Sequence, residues 1–285
     1  MNPRPFVKWA GGKRQLVQEL LKYSPKEFNN YFEPFFGGGA LFFELSSKGL
    51  IKHAFLNDFN EELITAYKVI KEKPVELIKE LSKSKYKCDE KTFYSIRAEN
   101  PIDSVKSTAR FIYLNRTAFN GLYRVNSKGG FNVPFGKYKN PKILDKENLL
   151  AVSEALQKDE LTSMDFEKAV AKAKKGDFVY FDPPYAPLNK SSFTTYTKNN
   201  FTDEDQKRLR DRAIELHKKG CFVMISNSYV KSILDLYKDK SVFTINTVHA
   251  TRMINCKAQG RGKIKEVVIV NYWFWGNPIK SNGIV

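Results

Sequence analysis

The chain has 285 residues, 42% hydrophobic and 14% aromatic, with 48 Lys and Arg against 31 Asp and Glu for a formal net charge of +17. That composition excludes a disordered chain, and the absence of any run of about 18 apolar residues excludes a transmembrane helix. Met1 to Pro5 has no apolar signal core, and Cys88, Cys221 and Cys256 are odd in number and show no metal-ligand spacing, so a reduced, cytoplasmic chain without a metal site is expected. The surplus of cations points to a polyanion, nucleic acid before membrane; its bland reading is a lysine-rich, solubilising surface.

The first informative stretch is Phe6-Val7-Lys8-Trp9-Ala10-Gly11-Gly12-Lys13. Its glycine pair leads into a helix predicted from Lys13 to Tyr23, and Trp9 and Lys13 offer a flat face and a charge beside a backbone that a ligand can approach closely. The spacing is not that of a nucleotide phosphate loop. Tyr31 to Ala40 then reads as strand, glycine turn and helix, the helix running from Ala40 to Ser47. Three glycines at a strand-to-helix turn permit positive φ and close approach to a nucleotide-like ligand. A second strand is predicted from His53 to Asn57, with Asp58 at its end, 19 residues past Gly39. That is near the offset of about 20 at which an acid takes ribose hydroxyls; the bland reading of Asp58 is an N-cap for the helix near Glu61.

Strand signals then vanish from Asn60 to about Asn120, and that span reads as an inserted helical subdomain, its last helix running from Ser104 to Ala118. At its exit Leu122 to Asn126 and Phe131 to Val133 are predicted to form a β-hairpin around the Ser127-Lys128-Gly129-Gly130 turn. Basic residues interleaved with aromatics there suit a DNA groove, although an ordinary exposed hairpin has the same outline. A helix over Leu149 to Leu156, a strand at Glu160 to Thr162 and a helix capped by Asp165 follow.

The apolar run Phe178-Val179-Tyr180-Phe181 reads as a buried strand, and it ends abruptly in Asp182-Pro183-Pro184-Tyr185. Two prolines cannot extend a ladder, so the acid is held at a strand's carboxyl end, where open α/β sheets keep their ligand crevices. A carboxylate, a rigid carbonyl and an aromatic face together suit a planar ring bearing an amine; the bland reading is a turn. Leu188 to Asn200 is a long polar stretch expected to be a lid or binding loop. Thr202 begins a helix to Gly220, with His217 in its last turn. A strand over Cys221 to Ile225 ends at Ser226-Asn227-Ser228. Two last strands, Phe243 to Val248 and Glu266 to Trp273, are predicted to pair antiparallel across a basic connector containing Arg252, Lys257 and Arg261. The alternation implies a largely parallel sheet with helices on both faces.

F-V-K-W-A-G-G-K (6–13), E-P-F-F-G-G-G (33–39), N-D-F-N (57–60), L-N-R-x-x-F-N-G-L-x-R (114–124), F-N-V-P-F-G-x-Y-K (131–139) and D-P-P-Y (182–185) occur in this order. In these motifs, across about residues 5–272, the chain resembles the Dam/DpnM-type DNA adenine-N6 methyltransferases, a D12 class of N6 adenine-specific enzymes whose duplex target is GATC. The resemblance implies an α/β fold, a Rossmann-like S-adenosylmethionine-binding sheet (1–60 and 143–285) with a target-recognition domain (61–142) inserted.

The resemblance also implies site residues. Trp9, Lys13, the loop of Phe35, Gly37 and Gly39, Asp58, Asp165 and Asp182 would hold S-adenosylmethionine. Lys8, Leu122, Arg124 and Pro134 would read bases, Phe119 and Asn120 would wedge into the stack, and Arg116, Tyr138 and Lys139 would hold phosphates. Phe119 stands where relatives often carry tyrosine, which keeps the ring and removes a hydroxyl. Asp182, Pro183, Pro184 and Tyr185 would receive a flipped adenine, with no covalent intermediate and no metal. Double-stranded DNA is the expected partner and a monomer the expected state, with a separately encoded companion restriction endonuclease left open. Two other classes are weighed. An RNA or protein methyltransferase is disfavoured by the inserted segment with Leu122 and Arg124. A catalytically silent DNA-binding protein is disfavoured by the intact glycine loop and D-P-P-Y.

Overall fold

The computed structural model describes residues 1–9, 11–13, 15–187, 201–251 and 263–273. The chain opens on an irregular N-terminal segment and then α1 (Val17–Tyr23). This helix starts later than the predicted Lys13 because a turn intervenes, Leu16 N–H donating to the Lys13 carbonyl at 2.8 Å. β1 (Tyr31–Glu33), α2 (Ala40–Ser47) and β2 (Ala54–Asn57) follow. α3 (Glu61–Glu72) is capped by Asn60, whose side chain accepts from Leu63 N–H. Asp58 is therefore not the cap; its carboxylate is turned to the glycine loop.

Three helices come next: α4 (Pro74–Leu81), α5 (Glu90–Ala98) and α6 (Ser104–Thr117). Pro74 sits in the first turn, where a missing N–H costs nothing, and Asp89 and Asp103 cap the other two. A 3-10 turn (Phe119–Gly121) then leads into the segment read as a hairpin. The predicted hairpin is present but short: Asn126 N–H donates to the Gly130 carbonyl at 2.9 Å and Asn132 N–H to the Arg124 carbonyl at 3.0 Å. Among the described residues its two runs meet in a bridge of Val125 with Phe131, and a second bridge joins Ala118 to Phe135. The Asn126 carboxamide takes the N–H groups of Lys128 and Gly130 at the turn, and Pro134 has no N–H with which to extend the pairing.

α7 (Lys146–Ala155), β3 (Glu160–Thr162), α8 (Phe166–Ala169) and β4 (Phe178–Phe181) bring the chain back to the sheet. Then come α9 (Asp203–Lys218), β5 (Phe222–Ser228), α10 (Lys231–Leu236), β6 (Thr244–Thr251) and β7 (Lys263–Val270). α9 starts on a full capping box between Thr202 and Asp205. His217 in its last turn bonds the Asn271 carboxamide at 3.1 Å. The expected lid, Leu188 to Asn200, and the connector residues Arg252, Lys257 and Arg261 lie outside the described residues.

The strands form one sheet in the order β3-β2-β1-β4-β5-β7-β6. The first five run parallel, and β7 pairs antiparallel with both β5 and β6. Alternate strand residues face opposite ways. Tyr31, Leu56, Phe178 and Tyr180 join a core with α1, α2, α3 and α7, while Phe32, Val179, Phe181 and Ile225 join another with α8, α9 and α10. α3 and α4 pack on α7, and α6 packs on α3, α4 and α5.

β5 continues three residues past the predicted Ile225. Ser226, Asn227 and Ser228 pair with Val268, Val267 and Glu266 of β7, and the strand ends with that polar run.

Candidate active site

The chain lays β1, β2 and β3 outward in one direction, then returns to place β4 beside β1. A sheet that reverses in this way opens a crevice at the carboxyl ends of its strands. The segments following β1, β2, β3 and β4 carry the glycine loop, Asp58, Asp165 and Asp182. Residues scattered through the sequence are thus gathered along one sheet edge.

The glycine loop is held by its own peptide. Gly37 N–H donates to Asp58 Oδ2 at 2.8 Å, and Tyr67 OH donates to the Gly37 carbonyl at 3.0 Å. Gly37 has φ of +47°, and a Cβ there would lie 2.8 Å from Trp9 Cδ1, so glycine is required by both conformation and space. The Trp9 ring in turn stacks on Tyr123 at 5.3 Å. Gly39 has φ of +67° and enters α2, and Phe35 stacks on Phe166 at 5.5 Å. Asp58 Oδ1 accepts from Asn60 N–H at 2.9 Å, and burial pushes its carboxyl above the usual range, partly countered by the bonds from Asn60 and Gly37. Each oxygen keeps a lone pair for a further donor.

Asp165 caps α8 through Glu167 N–H, and both of its oxygens receive Arg208 of α9, at 3.2 and 3.1 Å. Arg208 also binds Glu167 and Asp205. The sequence reading did not anticipate this hold on Asp165.

Asp182 leaves the end of β4 with its side chain 17% exposed, and its Oδ1 lies 2.8 Å from Lys13 Nζ. Lys13 is only 8% exposed; its ammonium also donates to the Gly11 carbonyl at 2.8 Å and lies 4.4 Å from the centre of the Tyr185 ring. Burial raises the Asp182 carboxyl above its ordinary range, the Lys13 charge pulls it back, and Glu266 pushes it up again. Glu33, at the end of β1 between Asp58 and Asp182, is buried and accepts from Tyr31 OH at 2.9 Å; burial holds its carboxyl well above the usual range.

The backbone after Asp182 is clamped by side chains that sequence reasoning passed over. Gln206 of α9 donates to the Pro184 carbonyl at 3.1 Å and accepts from Asn227 Nδ2 at 3.0 Å. Asn227 Oδ1 accepts from Ala186 N–H at 3.1 Å, and Ser228 Oγ donates to the Ala186 carbonyl at 2.6 Å. Among the described residues nothing donates to the Pro183 carbonyl. The polar run Ser226-Asn227-Ser228 was a visible signal for this clamp; Gln206, inside a charged helix, carried none.

The residues expected to meet DNA lie on the N-terminal segment (Lys8), in the last turn of α6 (Arg116) and on the segment after α6. Asn115, fully buried, accepts from Lys8 N–H and donates to the Lys8 carbonyl, both at 2.8 Å, and donates to the Gly121 carbonyl at 3.2 Å. The Lys8 stem lies on Gly121, and its ammonium is 5.0 Å from the Tyr138 ring centre. Phe119 is 45% exposed, Asn120 has φ of +55°, and Pro134 and Lys139 are exposed. The Pro134 carbonyl accepts from Phe119 N–H at 2.9 Å. Leu122 is half-buried, and exposed Arg124 donates to Asn132 Oδ1 at 2.7 Å. Arg116 donates inward to the Phe6 carbonyl at 2.7 Å. The structure thus draws Lys8, Asn120, Gly121 and Tyr138 together and leaves Arg124 against Asn132.

A family of D12 class N6 adenine-specific DNA methyltransferases matches residues 9–254. A type II methyltransferase of Lactococcus lactis subsp. cremoris is 47% identical over 281 residues, covering 95% of this chain and 96% of that protein. A type II methyltransferase of Methanocaldococcus jannaschii is 46% identical over 292 residues, covering 95% of this chain and 100% of that protein. A DNA adenine methylase of Vibrio cholerae is 35% identical over 271 residues, covering 93% of this chain and 95% of that protein.

Proposed function

Because the chain belongs to the D12 class N6 adenine-specific DNA methyltransferases, we propose that it methylates the 6-amino nitrogen of adenine within duplex GATC, with the base flipped out of the helix onto Tyr185. The observation that carries this reading is the Asp182–Tyr185 arrangement. An acidic acceptor, an open carbonyl at Pro183 and an aromatic face stand together, with an amine, that of Lys13, already held against two of the three.

The methyl donor of this family is S-adenosylmethionine, and the residues present fit it. Carboxyl groups at Glu33, Asp58 and Asp182 stand at the carboxyl ends of neighbouring strands, and a sulfonium cation beside Asp58 and Asp182 favours the charged form that their burial opposes. The positive-φ glycine loop is packed against the Trp9 ring, so loop and ring are set as one unit. In our reading Trp9, Phe35, Gly37, Gly39, Asp58 and Asp165 hold the donor, Asp58 through its remaining lone pairs. Bound there, it supplies a methyl group that leaves its sulfur as the C–N bond forms.

The target amine is buried in duplex DNA, so the base leaves the stack at a cost of a few kcal/mol. Asp182 and the Pro183 carbonyl accept its two hydrogens, which draws the nitrogen lone pair out of ring conjugation and aims it at the methyl carbon. The Asp182 carboxylate is placed to take the proton that the nitrogen sheds after transfer. Lys13 yields its contacts with Asp182 and Tyr185 to the incoming base. Rate comes from positioning and fixed charge.

Residues 61–142 serve as the target-recognition part on a catalytic part made of 1–60 and 143–285. Lys8, Leu122, Arg124 and Pro134 read bases, Phe119 and Asn120 fill the space the base vacates, and Arg116, Tyr138 and Lys139 lie along phosphates. The type II names of two relatives support a separately encoded restriction endonuclease as a companion. Incubation with methyl-labelled S-adenosylmethionine and duplexes with and without GATC tests the reading. Label confined to the GATC duplex, on adenine N6, is expected; equal labelling of both duplexes refutes the target assignment.

A further inference from the structure

Ser228 on β5 and Glu266 on β7 stand opposite each other in the antiparallel register, so their side chains leave the same face of the sheet. Ser228 Oγ donates to the Ala186 carbonyl at 2.6 Å, and Tyr185 OH donates to Glu266 Oε2 at 2.9 Å. One rung of the sheet therefore holds two successive residues of the loop after β4. β7 is paired on both sides, Glu266 also facing Val248 of β6, so two ladders set its backbone. Glutamate is depleted in strands. Placing it half-buried in an interior strand, within the field of Asp182, breaks a local rule in the manner of functional positions.

We propose that Glu266 is a positioning residue for methyl transfer, holding the Tyr185 ring through its hydroxyl at the tilt on which the target base stacks. A phenol ring turns about two torsions from Cβ, and any base stacked on it turns with it. An acceptor at the para position fixes the ring's long axis and, because a phenol O–H keeps to the ring plane, also biases rotation about that axis; near-attack geometry tolerates little departure from either. Glu266 touches neither substrate nor donor; it acts through Tyr185, and the inference rests on the reading of Tyr185 as the stacking platform.

The test compares kcat, KM for a GATC duplex, and the fluorescence of a duplex with 2-aminopurine at the target adenine. The proteins are the wild type, Y185F, E266A, E266Q and the Y185F/E266A double variant. Y185F, E266A and the double variant are each expected to lose kcat by the same factor, on the order of tenfold, with KM nearly unchanged. The same three should share one altered 2-aminopurine signal. E266Q, whose carboxamide oxygen accepts the same bond, restores both readouts.

A double variant that loses the product of the two single losses overturns the assignment, as does an E266A protein with wild-type kcat. If E266A does not fold, Y185F and E266Q decide it: a loss in Y185F with E266Q intact supports the hydrogen bond, and a loss in E266Q overturns it. A wild-type protein that methylates no duplex overturns the underlying reading as well, which separates the two failures.

Discussion

Lys13 and Asp182 are remote in the sequence and meet at 2.8 Å inside the candidate site, each shielded from solvent. The lysine follows a glycine pair in an irregular segment, and the aspartate ends a parallel strand. Each needs the other: an isolated buried charge is costly, and removing one partner of such a pair commonly costs about 3–5 kcal/mol. The pair also places an amine on the acceptor and ring that the target amine is proposed to use.

Asp182→Ala removes the acceptor and leaves the recognition segment untouched. Turnover is expected to disappear, while affinity for a GATC duplex in a gel-shift titration stays within about tenfold of wild type. Methyl transfer by the alanine variant at a wild-type rate would end the proposed mechanism.

Lys13→Met should move the acid limb of activity. Asp182 accepts as a carboxylate, so kcat/KM falls as pH drops through its pKa, which burial already raises. Lys13 is the influence that lowers it, so its removal raises that pKa further and moves the limb to higher pH. A pH profile of kcat/KM for wild type and variant measures the shift; an unmoved or lowered limb refutes it.

Gly37→Ala imposes a side chain at φ of +47°, with its Cβ 2.8 Å from the Trp9 ring. The strain is about 1 kcal/mol or more before the clash is counted. Affinity for labelled S-adenosylmethionine in equilibrium dialysis should fall by about tenfold or more, and unchanged binding would separate the loop from the donor.

Asn115→Ala strips three bonds from a fully buried position and leaves the Lys8 peptide and the Gly121 carbonyl without them. A loss of about 2–4 kcal/mol is expected in urea unfolding. At temperatures where the variant remains folded, discrimination between GATC and a one-base mismatch should narrow, because Lys8 and the Phe119–Gly121 turn lose their common anchor.

Asp159 lies just before β3 and accepts from Ala54 N–H at 2.7 Å; burial pushes its carboxyl up to about 6 from 3.8. Between those values the folded chain binds more protons than the unfolded chain, so this group's contribution to stability falls as pH rises through that window. Asp159→Asn keeps an acceptor and removes the ionisation. Urea unfolding at pH 7 should show the variant more stable by about 1–3 kcal/mol, with the gain shrinking at pH 4; a variant less stable at pH 7 refutes the account.

Local pattern sufficed for most elements. The apolar run Phe178 to Phe181, cut off by Asp182 and two prolines, is the observed β4, because prolines end a ladder wherever they fall. Thr202 and Asp205 likewise cap α9 through bonds within one turn. Where pairing decides the outcome, local pattern placed the element and missed its extent. The apolar run stops at Ile225, yet pairing with β7 carries the ladder through Ser226 and Asn227 to the strand's end at Ser228. The segment after α6 reads as a hairpin and forms a short one around Val125 and Phe131, because Pro134 has no N–H with which to extend it.

For the candidate site, the ordered motifs along the chain determined which residues to propose: the glycine turn, Asp58 at its offset, and the D-P-P-Y segment. Their chemistry is carried by residue type and local spacing, which a sequence displays. Only the tertiary structure decided who holds them. Lys13 on Asp182, Arg208 on Asp165, Gln206 and Asn227 on the Pro184–Ala186 backbone, and Glu266 on Tyr185 are contacts between separate strands and helices. A hydrogen bond between remote side chains leaves no periodicity and no composition signal; it exists only once the sheet has brought its strand ends together.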